Sequence, residues 1–384
     1  MHELEVNVRI IGKQVKVRLI LHLKMLYEMP EVDTLVFPSP LPRKAMNSDG
    51  GEEFLVYSLR PQNFEEQEAE NLAINGTPWK RYRVVMNENE LGTYLSGIDS
   101  YRSLGKLFSS SIFGKLHSQH KLPRIMGIIN VTPDSFYPGS RVDGNSFSAV
   151  DAFLDQKPDI IDIGGESTRP GSGRVTSEEE IKRIRPVLQY VSETSSIPVS
   201  VDTRNPETAN YALRYRIAYL NDVSGFRNPQ MIRIAADHSL KAVIMHMKGE
   251  PSTMQTDTHY DDIYFEVNHF IAGRAFSLMD AGVPPADIIV DPGIGFGKTS
   301  HQNIEIISNF QAFSLGFETL VGASRKSFIG TLTGRSVENR LSGTLASSIY
   351  LMMKNVGILR LHDVRENRDA MNAYLSLLGG HQVT

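Results

Sequence analysis

From about residue 125 onward the apolar positions fall in short dense runs, each stopping at a polar residue that opens a turn-rich segment. The runs lie near 125–130, 159–163, 198–202, 218–221, 241–246, 287–291, 319–323 and 357–362. They are rich in Ile, Val and Leu without strict alternation, as expected of strands covered on both faces. The stretches between them have helical spacing. Thr176-Ser177-Glu178-Glu179-Glu180 offers overlapping capping boxes ahead of Ile181, Ile184 and Val187, and Tyr260 to Met279 spaces Ile263, Val267, Phe270, Ile271 and Leu278 mostly at helical intervals. Eight strands, each followed by a helix, predict a (β/α)₈ barrel of the TIM type over residues 124–384.

The first 115 residues follow another pattern. Val6 to Ile10 and Val15 to Leu21 alternate as half-solvated strands do, and Tyr82 to Val85 does so more briefly. Ser48-Asp49-Gly50-Gly51-Glu52 reads as a turn, and the acidic run Glu65 to Glu70 as a solvated helix. The expectation is a small α+β domain over 1–115, joined to the barrel by a linker at 116–123. The polar stretch Ser109 to His120 reads as a linker into the barrel. No metal, phosphate or nucleophile signature occurs in this part.

Composition narrows the chemistry. The 384 residues are 41% hydrophobic and 22% charged, enough for a large core, and the formal charge of −4 provides no global field for nucleic acid or an acidic membrane. An anion site would have to be local. With no cysteine, disulfides, thiolate nucleophiles and Cys-ligated zinc are ruled out. Neither a secretory leader nor an apolar span of membrane length is visible, so the cytoplasm is the expected address.

In a parallel barrel the loops after the strands converge on one face. The spacing therefore gathers Asn130, Thr168, Arg169, Asp202, Asn221, Asp291, Lys326, Arg360 and His362 at one mouth. A lone Asp or Asn at a strand end is a turn or helix cap about half the time. Charged groups finishing this many buried strands are harder to explain that way. Asn130, Lys326, Arg360 and His362 suit an anionic leaving group, whereas Asp202, Asn221 and Asp291 suit a flat heterocycle rich in donors. The expected pocket has acceptors on one wall and cationic donors on the other.

The motifs Asn130-Val131-Thr132-Pro133-Asp134-Ser135-Phe136, Gly164 to Gly171, Ser200-Val201-Asp202-Thr203, Met245-His246-Met247, Asp291 to Lys298, Ser324-Arg325-Lys326-Ser327 and Arg360-Leu361-His362-Asp363 resemble those of the dihydropteroate synthases, in family order. The resemblance runs from about residue 124 to 379. It implies condensation of 6-hydroxymethyl-7,8-dihydropterin diphosphate with 4-aminobenzoate by a homodimer using Mg²⁺, with pyrophosphate leaving before the amine attacks. By the same resemblance, Asp202, Asn221, Asp291 and Lys326 would hold the pterin, with Met245 along its face. Asn130 would bind magnesium, and Arg360 and His362 the diphosphate. Thr168, Arg169 and Pro170, with Phe136, Phe296 and Ser327, would frame the aminobenzoate. One departure from the family pattern is Phe136-Tyr137-Pro138, where Pro138 replaces a common aspartate.

Other readings carry their own marks. A pterin-dependent methyltransferase would share the pterin-gripping Asp and Asn residues but would not need Lys326, Arg360 and His362. A non-catalytic pterin-binding subunit would fit the unassigned first domain and Pro138. A ribosylated aminobenzene phosphate could replace 4-aminobenzoate. Gly293 to Thr299 resembles a phosphate-binding loop but is one residue short. Asn130-Val131-Thr132 and Asn75-Gly76-Thr77 match the glycosylation acceptor by chance. His238, His246, His259, His269 and His301 lack metal-ligand spacing, leaving His362 as the histidine with a site argument.

Overall fold

The computed structural model describes residues 5–10, 13–18, 34–39, 52–58, 62, 69–98, 105–117, 121–132, 147–167 and 171–379. β1 (Glu5–Ile10) and β2 (Lys13–Arg18) pair antiparallel, as their alternation predicts. β3 (Thr34–Pro38), β4 (Glu52–Ser58), β5 (Glu70–Ile74) and β6 (Thr77–Met86) form an antiparallel sheet in the order β3-β4-β6-β5. The Asn75-Gly76 pair that matched a glycosylation acceptor is the two-residue turn between β5 and β6. Its φ values of 50° and 76° are both positive, as the tight hairpin turn requires of its central residues. Of the acidic run expected as a helix, Glu70 opens β5 instead, and Arg81 of β6 ion-pairs with it across the ladder. Residues 63–68 lie outside the described residues.

The reading of Ser109 to His120 as part of a linker is corrected. Gly105–His117 is an α-helix; residues 118–120 lie outside the described residues. Phe108 and Ile112, four apart, supply its apolar contact, while Ser109 donates to the Glu88 carbonyl and Ser111 to that of Gly316 at 2.5 Å. Serine hydroxyls spent on backbone carbonyls hide a helix behind a loop-like composition. Gly316, at φ 85°, allows the approach, since a Cβ there would lie 2.7 Å from the Phe108 ring.

The four-stranded antiparallel sheet packs against the barrel helix Ile263–Asp280, sharing one apolar core with it. Trp79 and Tyr57 meet Phe265 with ring centroids 4.6 and 5.1 Å apart. The Tyr57 hydroxyl at 2.6 Å and Arg81 Nη1 at 3.1 Å both donate to Asp262 Oδ2. The other oxygen of Asp262 caps the helix Ile263–Asp280 by accepting from the amides of Tyr264 and Phe265. One carboxylate thus serves as both helix cap and domain anchor.

The predicted barrel is present and closed. β7 (Arg124–Asn130), β8 (Ile160–Gly164), β9 (Val199–Asp202), β10 (Ile217–Asp222), β11 (Lys241–Met245), β12 (Ile288–Asp291), β13 (Glu318–Val321) and β14 (Ile358–Leu361) pair in parallel, with β14 closing on β7. Met126, Ile160, Tyr219, Val243, Ile289, Leu320 and Ile358 fill the lumen as one apolar layer. Side chains alternate across a strand, so the residues two positions further on point the same way, one level higher. Those residues include Asp162, Asn221, Met245, Asp291 and Arg360. The apolar floor and the polar mouth are therefore built on the same strands. Below the floor, Arg124 donates to Tyr219 at 2.8 Å and pairs with Glu318 at 3.2 Å.

Candidate active site

The mouth is organised around Arg360. Its Nε donates to Asp162 Oδ2 and its Nη2 to Asp202 Oδ2, both at 2.6 Å. Asn221 Nδ2 donates to the same Asp162 oxygen at 3.2 Å, while Asp162 Oδ1 is buried with no hydrogen-bond partner among the described residues. Gly164 makes room beside Asp202, because a Cβ there would stand 3.3 Å from that of Asp202. The expectation of acceptors and cations on opposite walls is thus corrected. The guanidinium lies on the acceptor wall, between two carboxylates.

Across the mouth, Asp291 accepts from the Gly293 amide at 2.8 Å. Gly293 has φ 70°, and a Cβ there would come within 1.8 Å of the His246 carbonyl oxygen, so only glycine fits this turn. Lys326 donates to the Ile294 carbonyl and holds its ammonium 4.5 Å above the Phe296 ring centroid. Lys326 Nζ and the Arg360 side chain both lie 3.8 Å from where a Cβ of Gly322 would be, which brings the two cations to a common edge. Met245 is buried with Val223, Met247 and Met254, and Phe296 packs against this group.

Burial sets the protonation of these groups. It pushes the Asp202 carboxyl up to about 7, against the pull of Arg360 and with the help of Asp162. Burial raises Asp291 too, opposed by Lys326 and the Gly293 amide. The Lys326 ammonium is lowered by burial to about 8, although Asp291 favours its charge. For Arg360, burial works against the charge, but Asp162 and Asp202 outweigh it and the guanidinium stays charged. One such cation shared by two carboxylates leaves the mouth ready to accept further donors.

Of the other expected site residues, Asn130 ends β7 half-buried, paired in register with Gly164. Ser327 is the first residue of the helix Ser327–Thr333, beside Lys326. His362 follows β14 half-buried, and its amide donates to Ser324 at 3.4 Å. Phe136, Thr168, Arg169 and Pro170 lie outside the described residues, as does Pro138. Among the described residues, no three His, Asp or Glu side chains gather as a metal cage.

Two groups were missed in the sequence. Asp162 was signalled by a single acid inside the run Ile160-Ile161-Asp162-Ile163. The buried pair of Arg204 and Glu166, with the more exposed Glu250 on the remaining arm, gave no such signal, because its members come from three loops. Lys298, in the loop that resembled a phosphate-binding motif, is fully engaged. It contacts His246 Nδ1 at 2.9 Å and donates to the carbonyls of Gly293 and Phe296 at 3.1 Å. Burial lowers it to about 7, and burial together with Lys298 holds His246 well below the usual histidine range.

Residues 126–362 match the family model described as pterin binding enzyme. The chain is 36% identical over 267 residues to dihydropteroate synthase of Escherichia coli strain K12, covering 68% of this chain and 93% of that protein. Dihydropteroate synthase from Xanthomonas albilineans in complex with 7,8-dihydropteroate superposes with a TM-score of 0.60 at 33% identity, covering 68% of this chain and 95% of that one. The Thermus thermophilus enzyme in complex with 4-aminobenzoate gives 0.60 at 37% identity, with 67% and 96% covered.

Proposed function

The chain belongs to the dihydropteroate synthase family of pterin-binding enzymes, and on that footing we propose how its barrel mouth makes 7,8-dihydropteroate. It is a transferase of folate biosynthesis. The substrates are 6-hydroxymethyl-7,8-dihydropterin diphosphate and 4-aminobenzoate, and the second product is pyrophosphate. The observation that carries the reading is the Arg360 guanidinium held between Asp162 and Asp202, on the tier of Asn221 and Asp291.

Asp202, Asn221 and Asp291 would accept from and donate to the polar edge of the pterin, with Lys326 at its rim and Met245 against its face. The free oxygen of Asp162 offers a further acceptor at that depth. Arg360 and His362 would face the diphosphate. The bond between the exocyclic methylene carbon and the diphosphate oxygen breaks, and its electron pair leaves with pyrophosphate. The carboxylates stabilise the positive charge that spreads over the ring. The lone pair of the aryl amine then forms the carbon–nitrogen bond, and the amine gives up a proton. Phe296 and Ser327, with Phe136, Thr168, Arg169 and Pro170, would frame the arylamine. Exclusion of water protects the cation from capture by solvent.

Magnesium belongs to the same proposal: Asn130, half-buried at the end of β7, would hold it through its amide oxygen, a hard donor of the kind that ion takes. When bound, it would supply Lewis-acid stabilisation of the leaving group. A homodimer is part of the same proposal, supported by exposed Leu332, Tyr350, Leu377 and Leu378 on the last three helices, Leu377 being 85% exposed. A cytoplasmic setting follows from a charged diphosphate substrate that does not cross lipid.

The test mixes the pterin diphosphate, 4-aminobenzoate and Mg²⁺ with the protein. Stoichiometric pyrophosphate and dihydropteroate are expected, and absence of both would refute the reading. The methyltransferase alternative gives way to the similarity to dihydropteroate synthases along the whole barrel. Turnover that vanishes in Lys326→Ala would dismiss the non-catalytic one, and competition between the two amines decides the ribosylated variant.

A further inference from the structure

Arg204 lies two residues past Asp202, in the turn after β9, and its side chain is 7% exposed. Its Nε and Nη2 donate to Glu166 Oε2 at 3.2 Å and Oε1 at 2.9 Å, a two-pronged pair in which the Glu166 side chain is 5% exposed. Its remaining arm, Nη1, donates to Glu250. Three loops, those following β8, β9 and β11, meet on this one guanidinium.

The contacts around the cluster extend its hold. Glu166 Oε1 accepts from the Val175 amide at 3.4 Å, and the Gly171 amide donates to the Pro251 carbonyl at 3.1 Å. Ser172 Oγ reaches back to the Ser167 carbonyl at 2.5 Å. Glu166 is therefore tied to Arg204, and Gly171 to Pro251, the neighbour of Arg204's second partner. A buried ion pair is a poor source of net stability, since well-packed apolar residues of the same volume often serve as well. Its fork geometry does fix orientation, which apolar packing does less sharply.

We propose that Arg204 is a positioning residue, clasping Glu166 and Glu250 so that the loops after β8 and β11 are set relative to the pterin wall. The clasp governs the arylamine half of the site and leaves the pterin half alone. This rests on the function proposed above, in which the segment after Glu166 frames 4-aminobenzoate. Glu250, 55% exposed, is the weaker arm, and the Glu166 pair is the rigid one.

The experiment uses the full chain carrying Arg204→Met. Because this variant strands a buried carboxylate, the double variant Arg204→Met with Glu166→Leu is made beside it to preserve folding. Hydrogen exchange on the ligand-free proteins is expected to quicken about tenfold at the amides of Gly171 and Val175, with β9 and β10 unchanged. Steady-state kinetics should show KM for 4-aminobenzoate raised between about 10- and 100-fold, while the dissociation constant of the pterin diphosphate by calorimetry stays within about twofold. Arg204→Lys restores charge without the fork and should recover part of the KM. Unchanged exchange at both amides, or equal weakening of both substrates, overturns the proposal. If the wild-type protein releases no pyrophosphate, the functional reading falls while the exchange result still decides whether the clasp exists.

Discussion

Arg360 donates to Asp202 at 2.6 Å while its other nitrogen holds Asp162 at the same distance, so two buried carboxylates share one guanidinium. Removing it does more than delete a phosphate contact. Arg360→Met should lower kcat by roughly 100- to 1,000-fold, on the scale of one lost preorganised donor. It should also weaken pterin binding, because Asp202 loses its counter-charge. Pyrophosphate release under saturating substrates measures the first effect and calorimetry the second. A variant within tenfold of wild type would contradict the arrangement.

The pH dependence follows from two groups. Asp202 must be ionised to accept from the pterin, and its carboxyl is pushed up to about 7. Lys326 must be charged, and it is lowered to about 8. A plot of kcat/KM for the pterin diphosphate should therefore be a narrow bell, falling on the acid side below about 7 and on the alkaline side above about 8. Asp202→Asn should flatten the acid limb, and Lys326→Met the alkaline one, each at reduced rate.

The same shift at Asp202 bears on stability, with the opposite sense from an ordinary paired carboxylate. Its folded value is raised above its unfolded one, so between about 4 and about 7 the native state holds a proton that the unfolded chain has released. The contribution is complete below that window and is lost as pH rises through it. Denaturation midpoints compared at pH 5 and pH 8 should show a smaller difference in Asp202→Asn than in wild type.

Asp262 anchors the small domain and caps a barrel helix with one carboxylate. Asp262→Ala removes both functions and strands the buried Tyr57 hydroxyl, so a loss of roughly 2 to 4 kcal/mol is expected from the cap and the unsatisfied donors together. Tyr57→Phe should cost less, about 1 to 2 kcal/mol, because the cap survives. Urea unfolding gives both values. Equal losses would show that the domain contact, and not the cap, dominates.

Gly293→Ala is the sharpest backbone test. The new methyl group would meet the His246 carbonyl oxygen at 1.8 Å in a turn that also requires positive φ. Backbone on both sides cannot yield as a side-chain tip would, so loss of more than about 3 kcal/mol or failure to fold is expected. A crystal structure with the turn unchanged would contradict it.

The barrel was legible because its strands are continuous apolar runs ending in polar residues, and all eight lie where those runs lie. Asp202, Asn221 and Asp291 were legible for the same reason, each ending a run, and Lys326 closely follows one. Asp162 was not, since an acid in mid-run looks like an interruption until the parity of the strand shows that it points inward above Ile160. The Arg204 cluster could not be read at all, as its partners lie 38 and 46 residues away along the chain. In the small domain, Thr34–Pro38 is buried throughout, so the alternation that revealed β1 and β2 was missing from β3.

The lumen carries an apolar tier and, two residues further along the same strands, a charged one. A single-residue insertion or deletion within any of these strands would swap inward-facing for outward-facing side chains, driving an acid such as Asp162 or Asp291 into the greasy belt under the helices and an isoleucine into the mouth. Strand length here is thus a hard constraint shared by folding and chemistry, and tolerance for length variation has to be sought in the connecting segments.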